Sequence, residues 1–211
     1  DAEGEGKLTV KGDIEADTLT LASGISIGTG NLASDVLDSL AKADNIPANQ
    51  FSARRSWEFD IGTQGWSPIT HASIDHGGSG IITVTSSGSD PTFQSPDNLN
   101  FDGGRDHLVV VRFKRTAGTG WQGTLYYATH GTDTYTAHSY HEDYKKNISD
   151  PTNGESGGYV VATWDMSDLT NGDDDWVDND IKRIRFDLGN ASGDQFEIDW
   201  IAIGSIGSAG L

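Results

Sequence analysis

From Ser56 onward the chain is written in short runs of alternating apolar and polar residues, punctuated by glycine, asparagine and aspartate. Period-two alternation puts the apolar side chains on one face of an extended segment, and such closely spaced breaks leave little room for amphipathic helices. The runs are SWEFDIG (Ser56–Gly62), IITVTSS (Ile81–Ser87), HLVVVRFKRT (His107–Thr116), GTLYYATH (Gly123–His130), GYVVATWDM (Gly158–Met166), IKRIRFDLG (Ile181–Gly189) and QFEIDWIAIG (Gln195–Gly204). Shorter candidates lie near Pro91–Ser95 and Thr134–Tyr140. Roughly eight or nine strands in about 160 residues predict an all-β fold, an antiparallel jelly-roll β-sandwich, with a closed barrel as the second choice. In IKRIRFDLG, Ile184, Phe186 and Leu188 fall on the core side and Arg183, Arg185 and Asp187 on the wet side.

The last run is less regular. Phe196, Ile198, Trp200 and Ala202 share one face of an extended strand, whereas Glu197 and Asp199 share the other with Ile201 and Ile203. The even-numbered set is expected to close the core. Why two carboxylates should lead a face that ends in two isoleucines is a question the pattern leaves open.

Residues 1–50 differ in character. KLTVKGDIEADTLTLASGISIG (Lys7–Gly28) offers strands of about three to five residues, too short to bury a core alone. NLASDVLDSLAKAD (Asn31–Asp44) places Leu32, Val36, Leu37 and Leu40 at helical spacing, and a single short helix needs a partner for its apolar stripe. We expect a β-rich oligomerising stem over 1–50 with one helix at about 31–44, its stripe packed by self-association or on its own domain. Pro47 and its polar neighbours form the linker to the sandwich at 51–211.

A net charge of −18 opposes binding to a phosphate backbone or to an anionic bilayer, so neither nucleic acid nor membrane insertion is expected. No apolar run reaches the roughly 18 residues needed to span a bilayer. Without cysteine there is no disulfide frame, thiolate metal site or cysteine nucleophile. DAEGEGKLTV starts without Met and lacks the basic-then-apolar design of a signal peptide, which suggests a fragment or a processed product.

WEFDIGTQGWSP, SPDNLNF, HLVVVRFKR, WQGTLYY, WDMSD and finally IRFDLGNASGDQFEIDWIAIG together resemble the carbohydrate-binding-module-like jelly rolls of secreted polysaccharide-active proteins and tailed-phage fibres. KLTVKGDIEADTLTL is similar to the short insertion strands near the C-terminus of phage central tail fibre and host-specificity proteins, which assemble as trimers. The resemblance implies a non-enzymatic tail-tip domain, located on the virion, that binds a host surface polysaccharide alongside other tail-tip proteins. The alternatives are a structural spacer or cap in the same fibre, or a carbohydrate-binding module of a secreted enzyme.

A sugar offers apolar C–H faces that stack on aromatic rings and hydroxyls that seek short polar groups. Trp121, Tyr127, His130, Tyr135, Tyr140, His141 and Tyr144 supply that mixture in one stretch, and Trp176 supplies another ring within an aspartate-rich loop. These eight are the candidate glycan-binding residues, although burial in the core is the better expectation for any one ring. The aspartates around Trp176 lack the spacing of an EF-hand and read as a solvated acidic loop. No G-x-S-x-G, H-E-x-x-H or phosphate-binding glycine loop is present, so no catalytic residue is assigned and no cofactor is required.

In the resembled jelly rolls the first and last strands lie side by side. Glu58, Asp60, Glu197 and Asp199 would then converge, and a structural Ca²⁺ is the expected compensation for their repulsion. Pairing with Arg54, Arg55 or Arg185 is the competing expectation.

Overall fold

Thirteen strands make up the regular structure of a computed structural model that describes residues 51–78, 80–129, 144–154 and 156–206. Among the described residues there is no helix, and the strand pairings recorded are antiparallel. The stem, helix and trimer expected of residues 1–50, and the strand expected at Thr134–Tyr140, lie outside the described residues.

One sheet holds β1 (Phe51–Trp57), β3 (Ala72–His76), β4 (Ile82–Ser86), β7 (Leu108–Ala117), β10 (Val160–Asp165) and β13 (Gln195–Ile206), in the order β10-β7-β13-β4-β3 with β1 also beside β13. The other runs β2-β5-β12-β8-β9, made from β2 (Ser67–Thr70), β5 (Thr92–Gln94), β12 (Arg183–Asp187), β8 (Thr124–Ala128) and β9 (Lys145–Asn147). A two-stranded ladder of β6 (Phe101–Asp102) and β11 (Asp180–Ile181) stands apart. The chain changes sheet at β1 to β2, β2 to β3, β4 to β5, β7 to β8, β9 to β10 and β12 to β13, so the two layers are stitched together repeatedly. This is the sandwich that the sequence predicts.

The period-two rule places most of the core correctly. Val109, Val111 and Phe113 of β7 and Ala162 and Trp164 of β10 face Leu125 and Tyr127 of β8 and Ile184 and Phe186 of β12. Trp66, from the turn before β2, lies edge-on to Trp57 at 5.3 Å and stacks near Phe186 at 5.8 Å. Phe186 also meets Phe93 at 5.5 Å and Trp164 at 5.1 Å, so this ring centres an aromatic knot between the sheets.

β13 departs from the simple alternation. Ile198 is paired with Phe113 and Trp200 with the adjacent Arg112, which leaves Asp199 as an extra residue, a β-bulge. Beyond it the parity reverses. Phe196 and Ile198 face the core before the bulge, and Ile201 and Ile203 face it afterwards. Trp200 and Ala202 turn to the opposite face, where they pack with Leu108 and Val110 of β7 and against Phe51 and Val161. The expected all-even core face is therefore corrected, because one inserted residue shifts every later side chain to the other side. Gly204 lies where a Cβ would collide with the Ser52 carbonyl oxygen, so only glycine lets β1 approach β13 this closely.

The bulge makes Ile201 a core residue. Ile201→Ala is expected to cost about 2–5 kcal/mol in urea unfolding. A regular strand would leave position 201 on the acidic face, and a loss within about 0.5 kcal/mol would rule the bulge out.

Candidate functional site

The eight aromatic and histidine candidates divide three ways. His130, Tyr135, Tyr140 and His141 lie outside the described residues. Trp121 is a packing residue, stacked on Phe113 at 5.7 Å and donating its Nε1–H to the Ile148 carbonyl at 3.0 Å. Tyr127, Tyr144 and Trp176 come together: Tyr127 meets Trp176 edge-on at 5.0 Å and Tyr144 at 6.3 Å.

Of these three, Tyr127 and Trp176 are fully buried and Tyr144 is partly exposed. The Tyr127 hydroxyl donates to Asp175 Oδ2 at 2.8 Å. Burial, and then that hydrogen bond, push its pKa far above the ordinary phenol range, so it acts as a fixed donor. Trp176 donates to the Asp106 carbonyl at 3.3 Å. Both rings therefore form a floor beneath Tyr144 rather than a surface for a ligand.

Tyr144 stands at the wall of an open cleft of about 510 Å³ that is lined also by Thr170, Asn171, Gly172, Asp173 and Asp175. The backbone builds this cleft with care. Lys145 and Asn171 exchange backbone hydrogen bonds at 3.0 and 3.2 Å, and Asn147 N–H donates to Thr170 Oγ1 at 2.9 Å. The acidic loop is thereby laid along β9 as an additional short ladder. Asp173 sits at φ 48°, a left-handed conformation that aspartate tolerates, next to Gly172. Lys146 Nζ, bonded to the Asp168 carbonyl and to its carboxylate at 2.9 Å, fastens the loop's start. The result is one aromatic ring beside hydroxyl, amide and carboxylate groups.

The outward face of the second sheet continues from this edge. Arg185 donates through Nε and Nη2 to the two Asp187 oxygens, each at 2.9 Å, and its guanidinium lies 4.1 Å from the Tyr126 ring centre. Lys145 approaches the same ring at 5.7 Å, and Arg183 pairs with Asp97 at 3.1 Å. Tyr126 is thus the outward member of the Tyr126/Tyr127 pair, and sequence reasoning singled out the inward one. The polar face of β12 is also drier than expected, since Arg183 and Asp187 are buried.

The four carboxylates assigned to calcium lie on two segments, Glu58 and Asp60 after β1 and Glu197 and Asp199 within β13. β1 ends at Trp57, opposite Ile201, so Glu58 and Asp60 follow the strand and are exposed. Glu197 is paired with Lys114 at 2.7 Å and Asp199 with Arg112. Tyr159 covers both cations, its ring centre 4.3 Å from Arg112 and 5.0 Å from Lys114. Burial first, and the nearby Glu197 and Asp199 charges next, raise the Tyr159 hydroxyl well above its usual pKa. Among the described residues no group of three His, Cys, Asp or Glu side chains is placed to hold a metal ion. Glu197 and Asp199 are ion-paired, and their partners are Lys114 and Arg112, neither of them among the cations the sequence offered.

No family model matches the chain, and no curated protein matches it in sequence. Solved structures similar to it include the second N-terminal cellulose-binding domain of Cellulomonas fimi β-1,4-glucanase C, at 16% identity and a TM-score of 0.39 over 76% of this chain and 93% of that one. The low-affinity xylan-binding module CBM86 from Roseburia intestinalis aligns at 13% identity and a TM-score of 0.41, over 74% and 98% of the two chains. A family 29 carbohydrate-binding module from Piromyces equi aligns at 14% identity and a TM-score of 0.39, over 71% and 87%.

Because Arg112 and Asp199 are both largely buried, Asp199→Ala strands a guanidinium and is expected to cost about 3–5 kcal/mol. The loss should be the same with calcium or with EDTA in the buffer; a thermal melt in which calcium stabilises only the parent protein would restore the metal.

Proposed function

We propose that the chain is a non-catalytic polysaccharide-binding module whose Tyr144 cleft takes a sugar ring. The observation that carries this reading is the cleft itself. A ring held edge-on by a buried tyrosine, with Thr170, Asn171, Asp173 and Asp175 around it, matches the mixed character of a sugar, whose C–H faces stack and whose hydroxyls both give and accept hydrogen bonds. The floor beneath is fully packed, so the site is pre-formed and little ordering entropy is lost on binding. A single shallow site of this kind binds weakly.

Weak binding suits presentation in several copies. The similarity of KLTVKGDIEADTLTL to tail-tip insertion strands supports a homotrimeric tail-fibre domain on a virion, contacting host surface polysaccharide and its neighbouring tail-tip proteins. Three linked sites raise avidity through effective concentration without any new contact. The same cleft on a single chain would instead serve a secreted polysaccharide-active enzyme.

Tyr144→Ala should weaken binding to glycans identified on an array by about tenfold, equivalent to about 1.4 kcal/mol, while Tyr144→Phe keeps the ring and retains binding. Binding that is unaltered in a Tyr144→Ala protein with a parental melting curve would remove the cleft from the mechanism. Light scattering on the 211-residue chain is expected to give the mass of three chains; a monomer at micromolar concentration would reject the fibre assignment and leave the module reading standing.

A further inference from the structure

The chain carries 32 acidic and 14 basic residues, so a lysine or arginine without a partner is unexpected. Among the described residues eight of these cations are ion-paired to aspartate or glutamate. Two more, Arg55 and Lys145, lie over the rings of Trp57 and Tyr126. Arg54 alone among them has no such partner.

Its position is set by the backbone. β1 pairs Ala53 with Gly204 and then Arg55 with Ile203, so Arg54 is the extra residue of a second bulge. Bulges re-aim the side chain they insert. Here Arg54 lines a cleft of about 300 Å³ together with Ser52, Ala53, Arg105, Asp106 and Ser205. Gly204 permits the close approach of Ser52, one of the lining residues.

Arg105 is half-committed. Its Nε and Nη2 both donate to one oxygen, Asp106 Oδ2, at 3.0 and 2.7 Å, which leaves Nη1 without a hydrogen bond among the described residues. Asp106 is buried, with a side chain 4% exposed, so this pair holds the guanidinium in place while 57% of the Arg105 side chain stays accessible. Two guanidinia and two serine residues thus share one cleft lined by a single carboxylate, Asp106, with Asp102 near enough to Arg105 to act on it electrostatically and Arg54 left as the unpaired charge.

We infer that this cleft is a binding site for a monoanionic carboxylate carried on a small molecule, of the size of a uronic acid. Guanidinium forks match the planar, two-oxygen geometry of a carboxylate, and serine hydroxyls supply further donors. A dianionic phosphate would meet twice the repulsion from Asp106 as well as twice the attraction of the guanidinia, so it is the planar fork geometry, matched by a carboxylate and not by a tetrahedral phosphate, that selects the ligand. The volume exceeds that of a bare carboxylate and leaves room for the ring that bears it. The site belongs to the β1–β13 edge and uses none of the residues of the Tyr144 cleft.

Titrating the 211-residue chain with glucuronate, followed by calorimetry and by the arginine Nε–H resonances, tests this directly. Glucuronate is expected to bind saturably and glucose is not. Arg54→Gln should weaken glucuronate about tenfold, whereas Arg55→Gln, which removes the same charge one residue away, should change it by less than about twofold. Tyr144→Ala should leave it unaltered, which separates this site from the sugar cleft. Acetate binding with the same Arg54 dependence would support the site and identify the carboxylate alone as its ligand. Equal losses in Arg54→Gln and Arg55→Gln, no saturable binding, or tighter binding of inorganic phosphate would each overturn the inference.

Discussion

β13 is gripped on both sides, by β7 along most of its length and by β4 and then β1 on the other edge, and the sandwich depends on that strand. The Asp199 bulge is what lets it serve two cores. Before the bulge the strand contributes Phe196 and Ile198 to the space between the sheets, and after it Ile201 and Ile203 continue the same work while Trp200 and Ala202 build an outer cluster. The Arg112–Asp199 pair locks the register at the point where it changes. A strand of strict alternation could not cover both faces with apolar groups and still begin with two carboxylates.

The same economy of charge recurs at the loops. Arg115 is buried completely, yet its guanidinium meets the Gly120 carbonyl at 2.6 Å, Asp150 at 2.8 Å and Thr152 Oγ1 at 3.1 Å. Burial alone would raise the Asp150 carboxyl, but hydrogen bonds from Thr152 and Gly154 and the Arg115 charge outweigh it and hold its pKa below the usual carboxylate range. Asp194, also buried, accepts from the backbone N–H groups of Gly120, Asn190 and Ala191 at 2.9–3.0 Å. A Cβ at Gly118 or Gly120 would collide with that carboxylate, so two loops close over one aspartate because glycine lines it. Removing any member of such a set leaves buried polar groups unmet, which is costlier than losing one contact.

How much of this was legible follows from what each signal depends on. The strands were readable because alternation is local: IKRIRFDLG places Ile184, Phe186 and Leu188 inward as its pattern demands. The bulge was visible only as a conflict, two carboxylates and two isoleucines on one face, because an inserted residue alters parity without altering composition. Which of Tyr126 and Tyr127 faces inward depends on the register with β12, a long-range fact. The partners of Glu197 and Asp199 were missed for the same reason: Arg112 and Lys114 lie more than 80 positions away and become neighbours only through β7 pairing. Composition marks Tyr144 as a candidate because aromatic and polar groups crowd together there, but its separation from the buried Tyr127 and Trp176 depends on the fold.

The division of labour between the sheets then follows from their edges. The first sheet holds both the first and the last of the described strands, β1 and β13, and its outward face is spent on an apolar cluster and on Tyr159 over two ion-paired cations. Side chains so committed leave few groups for a ligand on that face, as distinct from the β1–β13 edge. The second sheet ends at β9, a three-residue strand whose free side is met by the acidic loop rather than by another long strand. A short edge backed by a loop can leave a ring partly exposed without exposing a long row of backbone donors, which would invite pairing with another chain. Tyr144 occupies that position, so the place where the sheet has to stop is also the place where it has an aromatic face to offer.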